Sequence, residues 1–224
     1  MEDIVTQAMT LLMEGQAEDA VKQLLAGYQE HCASLNVSQQ DIDNSLQSQD
    51  QVSFRVQAIS LNDVVDIQME YVSNGTEFRL FDGAFVVEGA PRSSPLTKVI
   101  LSAMTMYNVG VIFHLFGAFP CDEADLSKAY FMYSKAAETL QQYHLEGCHL
   151  EEFEMALYCN MGHVYSYMLG SNPMLNEKGM HSCRQEIRKR LERVDSRHMD
   201  PGTVQFFRDM LGVPQGGFDR APAA

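Results

Sequence analysis

Asn108-Val109-Gly110-Val111-Ile112-Phe113 returns 52 residues later as Asn160-Met161-Gly162-His163-Val164-Tyr165. Each copy lies in an apolar stretch with helical spacing, and internal repetition of this kind points to stacked helix pairs. Such arrays bury a continuous core between neighbours and leave a surface for other proteins. A chain of 224 residues with 46% hydrophobic content can bury such a core in one domain carrying an insertion.

Apolar periodicity predicts helices over 4–14 (Ile4, Val5, Ala8, Leu11, Leu12) and 17–30 (Ala20, Val21, Leu24, Leu25, Tyr28), separated by Gly15. So short a link leaves the two helices antiparallel. Residues 33–50 turn polar and read as a loop or linker. From Val52 the period drops to two: Val52, Phe54, Val56, Ala58, then Ile67, Met69, Tyr71. Asn74-Gly75 is a hairpin signal because both positions accept positive φ, and Asp82-Gly83 offers a second turn before Phe85-Val86-Val87. Ser94-Pro95 then opens a helical region with candidate helices at 96–116, 125–143, 151–169, 176–194 and 201–211. No apolar run reaches the length of a membrane span by this reading. The organisation expected is an N-terminal helix pair (1–31), a linker and hairpin-containing insertion (32–94), two helix pairs plus a capping helix (95–211) and a disordered tail (212–224).

These residues resemble the tetratricopeptide repeat, a family whose pattern places an aromatic, a leucine, a glycine and a tyrosine on a first helix and Ala-x3-Phe on a second. Met106, Val109, Gly110 and Phe113, followed by Ala129, Tyr133 and Ala136, carry the likeness in the central pair. Tyr158, Met161, Gly162 and Tyr165 carry it in the next, and Ala8, Leu11, Gly15, Ala20 and Leu24 in the first. Tyr107-Asn108 and Phe81-Asp82-Gly83-Ala84-Phe85 are also similar to divergent tetratricopeptide-like proteins of unicellular algae. The resemblance implies a mainly α fold, an antiparallel helix-pair array with a small β-containing insertion. It further implies that Gly110, Gly162 and Ala129 sit where paired helices cross. The 52-residue spacing departs from the family's usual period of about 34, which follows from long loops near 117–124 and 143–150.

In peptide-binding members of the family, asparagines on first helices hold a ligand's backbone. The resemblance therefore makes Asn108 and Asn160 candidate partner-binding residues, with Phe113, Tyr158 and Tyr165 beside them. The alternative is an asparagine bonded between helices. A carboxylate clamp needs bases on first helices, and those helices offer Lys98 against Glu151, Glu152 and Glu154.

Net charge is −14, which repels a phosphate backbone and disfavours nucleic acid. Residues 1–70 hold 12 acids and two bases, whereas 151–224 hold 10 acids and nine bases. Arg184, Arg188, Lys189, Arg193 and Arg197 form a basic helix that is a solvated face or a dock for the acidic N-terminal third, in the same chain or a second copy, with RNA or membrane contact third because no aromatics interleave with these bases. Five scattered cysteines without a Cys-x-x-Cys pair imply reduced thiols, and Met1-Glu2-Asp3-Ile4 is unlike a basic targeting signal. A cytoplasmic or nuclear location is expected, with no membrane partner. His144, Cys148 and His149 with Cys159 and His163 make the one metal-like set, the basis of a rival reading as a metal-dependent enzyme. The expectation is a non-catalytic adaptor or assembly subunit, without cofactor or metal, that binds a protein partner in its repeat groove. A self-associating structural protein is a third reading.

Overall fold

The computed structural model describes residues 4, 7–8, 10–11, 14, 16–32, 37–47, 55–60, 78–81, 83–88, 94–118, 122–143, 145, 150–168, 172–194 and 199–213. It is mainly α-helical. The Asn74-Gly75 turn, the Ile67–Tyr71 alternation and the tail beyond Val213 lie outside the described residues.

Ile4, Gln7, Ala8, Thr10 and Leu11 are helical, and helix α1 follows at Ala17–Cys32. Ala8, Ala20 and Leu24 are buried, a Cβ on Gly27 would lie 2.9 Å from the Ile4 side chain, and Gln23 donates to the Gln7 side chain at 2.7 Å. Helix α2, Gln39–Gln47, lies within the 33–50 stretch expected to be a loop. Its start is a reciprocal cap: the Asp41 amide donates to Ser38 Oγ at 3.2 Å, and the Ser38 amide to the Asp41 carboxylate at 3.0 Å. One fully buried side chain, Ile42, anchors it, so the cap carried a signal that periodicity did not.

Strands β1 (Arg55–Ser60) and β2 (Gly83–Glu88) pair antiparallel, from Arg55 opposite Glu88 to Ser60 opposite Gly83. Gly83 thus belongs to a strand rather than to the expected turn. The remaining helices are α3 (Pro95–Ala118), α4 (Glu123–Gln142), α5 (Glu151–Tyr167), α6 (Pro173–Arg193) and α7 (Pro201–Met210). Side-chain caps explain three of the starts. Asp122 accepts from the Ala124 amide at 2.8 Å, Asn172 from Leu175 at 3.4 Å and Asp200 from Thr203 at 2.9 Å. Proline at the first position of α6 and α7 removes an amide that would lack a partner there.

Helix α3 is the hub. It packs against α1, α2, β2, α4 and α5, and 19 of its 24 residues are buried, so its apolar surface runs all round. Contrary to the expectation above, Pro95–Ala118 is long and apolar enough to cross a membrane, the one such helix among the described residues; here it is surrounded by the rest of the fold. Direct contacts run on from α3 to α4, α4 to α5 and α5 to α6.

Small residues set the closest approaches. A Cβ on Gly110 would lie 2.7 Å from the Tyr133 ring, so this glycine admits a side chain of α4 as expected. Gly162 does something else. A Cβ there would strike the ring of Phe78, which belongs to the insertion and not to the paired helix α6. Gly179 on α6 supplies the small residue at that helix crossing, where it accommodates Tyr165.

Candidate functional site

A primary amide carries one acceptor and a two-hydrogen donor, the complement of the C=O and N–H that a strand residue presents along one edge. Two such amides, Asn108 on α3 and Asn160 on α5, are buried in the helical face beneath the insertion. Asn108 Oδ1 accepts from the Phe85 amide at 2.9 Å, and its Nδ2 donates to the Phe85 carbonyl at 2.9 Å. Asn160 repeats the arrangement on Phe81, accepting from the amide at 2.7 Å and donating to the carbonyl at 2.9 Å. The equivalent residues of the two repeat phrases therefore hold two residues of the chain's own insertion, four positions apart.

The bonds also explain the edge of the small sheet. Phe85 stands opposite Ala58, and both its backbone polar groups point at Asn108, so they point away from β1. One edge of β2 is satisfied by a strand and the other, at Phe85, by a side chain.

Aromatic rings complete the site. Phe85 meets Tyr107 and Phe153 edge-on at 5.3 and 5.2 Å between centroids, and Phe81 stacks on Phe207 of α7 at 5.6 Å. Phe78 covers Gly162 and lies beneath the Arg184 guanidinium at 5.2 Å. Tyr107 donates its hydroxyl to the Phe81 carbonyl at 3.4 Å.

A chain of neutral polar groups continues inward from the clamp. Asn160 Nδ2 reaches the Tyr107 hydroxyl at 3.0 Å and the Tyr133 hydroxyl at 3.4 Å. Tyr133 lies 3.2 Å from His114 Nδ1, and His114 Nε2 lies 2.9 Å from His163 Nδ1. A neutral His114 that accepts the Tyr133 proton at Nδ1 donates from Nε2 to His163 Nδ1. Burial holds the His114 ring well below the usual imidazole range and His163 down to about 4, and it pushes the Tyr133 phenol up. All three are neutral at pH 7. The arrangement is suited to reading uncharged backbone.

No family model, curated protein or solved structure matches the chain.

Phe113, Tyr158 and Tyr165 sit elsewhere. Phe113 lies under Lys128 Nζ at 5.2 Å, and the Tyr165 hydroxyl meets that of Tyr130 at 2.5 Å. Tyr158 is covered by the Arg190 guanidinium at 4.6 Å and accepts from Gln141 at 3.3 Å. At about 100° per residue, positions two or five away from an asparagine fall on another side of its helix. The amide and the aromatics of each phrase therefore serve different neighbours.

Within the basic helix, Arg184 covers Phe78, and Lys189 pairs with Glu186 at 2.6 Å. Arg188 and Arg193 are exposed, and Arg197 lies outside the described residues. Arg190, between them, bonds Glu154 of α5 at 2.8 Å and Glu186 at 2.7 Å.

Cys159 and His163 bond to different partners, and no group of three or more potential metal ligands forms among the described residues. The Cys159 thiol donates to the Arg79 carbonyl at 3.0 Å, while His163 turns to His114. His144, Cys148 and His149 lie outside the described residues. Phe81, Phe85 and Tyr107 were absent from the candidates. Their sequence signal was the four-residue spacing of the two phenylalanines, which puts their backbone groups on one edge of an extended segment.

Proposed function

We propose that this chain is a non-catalytic protein-binding module, an adaptor or assembly subunit, built on tetratricopeptide-like antiparallel helix pairs. The observation that carries the reading is the pair of equivalent asparagines, on α3 and α5, each gripping the N–H and C=O of one residue in a non-helical segment. Such contacts recognise a peptide backbone whatever its side chains, which is the physical basis of binding an extended partner.

Helix contacts support the antiparallel reading. Gly110 meets Tyr133 while Gly117 meets Leu126, and Glu154 bonds Arg190 while Tyr165 meets Gly179. In each pair of helices one residue number rises as the other falls. The net charge of −14 favours a protein partner over nucleic acid.

The test is affinity purification of the tagged full chain from its native cells, at low and high salt, with mass spectrometry. A stoichiometric partner that survives high salt is expected. Recovery of the chain alone under both conditions would overturn the reading.

A further inference from the structure

Helices α3 to α6 contact one another in succession without the insertion. The segment formed by residues 78–81 and 83–88 lies against this frame through two backbone clamps and a row of apolar side chains, Phe78, Leu80, Phe81 and Phe85, with β1 paired along its other edge at 83–88. Removing it would strand the amides of Asn108 and Asn160, both buried, which bond the Phe85 and Phe81 backbone. The groove is therefore costly to empty. Exchanging one occupant for another keeps those groups satisfied, so exchange is favoured over simple opening.

We propose that the 78–88 segment is an internal occupant of the groove that gives way to a partner's segment of the same chemistry. This rests on the protein-binding reading above and names the partner class. The incoming segment is extended and carries Phe-x-Leu-Phe-x-x-x-Phe spacing. It has no proline at the two positions equivalent to Phe81 and Phe85, because each must donate an N–H to an asparagine. The residue equivalent to Phe78 must lie flat over Gly162, beneath Arg184. The segment's own attachment to the chain raises its effective concentration, which keeps the groove closed to weak ligands.

The experiment titrates a fluorescent synthetic peptide, with the sequence of residues 78–88, into the full chain and follows anisotropy. Phe81→Ala weakens the internal occupant and leaves the groove lining intact, so it should bind the peptide about tenfold tighter than the unmodified chain. Asn108→Ala weakens the groove itself and should bind it more weakly than the unmodified chain. A scrambled peptide should not bind. Absence of binding to a Phe81→Ala protein that keeps its helical circular dichroism overturns the proposal, as does equal binding of the scrambled peptide.

Should Phe81→Ala fail to fold, native-state hydrogen exchange on the unmodified chain decides. The Phe81 and Phe85 amides should exchange together, ahead of those in α3 and α5; exchange only on global unfolding overturns the proposal. A captured partner unaffected by excess peptide overturns this inference while leaving the protein-binding reading intact. Peptide binding as expected, with no partner captured from cells, supports exchange and counts against the adaptor reading alone.

Discussion

Replacing Asn108 by alanine removes both hydrogen bonds to Phe85, each 2.9 Å long and buried. A buried polar group left without a partner costs about 1–3 kcal/mol. Two are orphaned, and water entering the vacated volume recovers part of the loss, so about 3 kcal/mol is expected. For a chain of this size each kcal/mol lowers the melting temperature by about 2–4 °C, giving a fall of about 6–12 °C. Asn160→Ala orphans the Phe81 amide, leaves the Phe81 carbonyl with the Tyr107 hydroxyl alone and takes a donor from that hydroxyl, and about 2–3 kcal/mol is expected.

The two losses should not add. Both amides hold one segment, so freeing one end lowers the cost of freeing the other, and the double variant should fall short of the sum by about 1 kcal/mol. Urea denaturation of the four proteins measures this, provided the dependence on urea is unchanged. Asn108→Asp separates hydrogen bonding from shape. Its carboxylate fits the space but sets an oxygen against the Phe85 carbonyl, so it should destabilise at least as much as alanine. Single losses below about 0.5 kcal/mol, or full additivity, would refute the reasoning.

Three further outcomes follow from the same structure. The folded His163 pKa, about 4, lies below its ordinary value of 6.5, and His114 is lowered too, so the unfolded chain binds more protons in between. Stability is therefore fully present above pH 6.5 and is lost as pH falls toward 4, by about 3 kcal/mol for His163. Denaturation midpoints across that range should decline in acid, and His163→Gln should flatten the slope; a rise toward acid would contradict the burial argument. Cys159 is buried with its thiol pushed up, and Cys183 is pushed up to about 12, so peptide mapping should find both slow to alkylate in the native protein and quick after unfolding. Gly110→Ala and Gly162→Ala should each lower stability by about 1–3 kcal/mol, read by thermal melts. Hydrogen exchange should place the Gly162→Ala effect first at Phe81 and Phe85, through displacement of the Phe78 ring.

The helical frame was largely legible in the sequence because caps and periodicity agree. Proline and a capping side chain begin α6 and α7, and buried Leu126, Ala129, Tyr133, Ala136 and Leu140 mark one side of α4. Helix α2 escaped notice because a nine-residue helix anchored by Ile42 has little apolar rhythm. Asn108 and Asn160 stood out through repetition, yet their partners could not be read. Phe85 lies 23 residues from Asn108 and Phe81 lies 79 from Asn160, so no local pattern joins them. Phe113, Tyr158 and Tyr165 lie on the same helices as the asparagines, within five residues of them, but helical rotation sends them to other neighbours.

The 79-residue separation between Phe81 and Asn160 has a consequence during biosynthesis. Translation at about 5–20 residues per second presents Phe78, Leu80, Phe81 and Phe85 roughly 4–16 seconds before Asn160 has been made. Throughout that interval the nascent chain carries an apolar segment whose binding site is incomplete, with Asn108 available first and Asn160 last. Chaperone capture on the ribosome should be heaviest for chains arrested between these two asparagines and should fade once α5 has emerged.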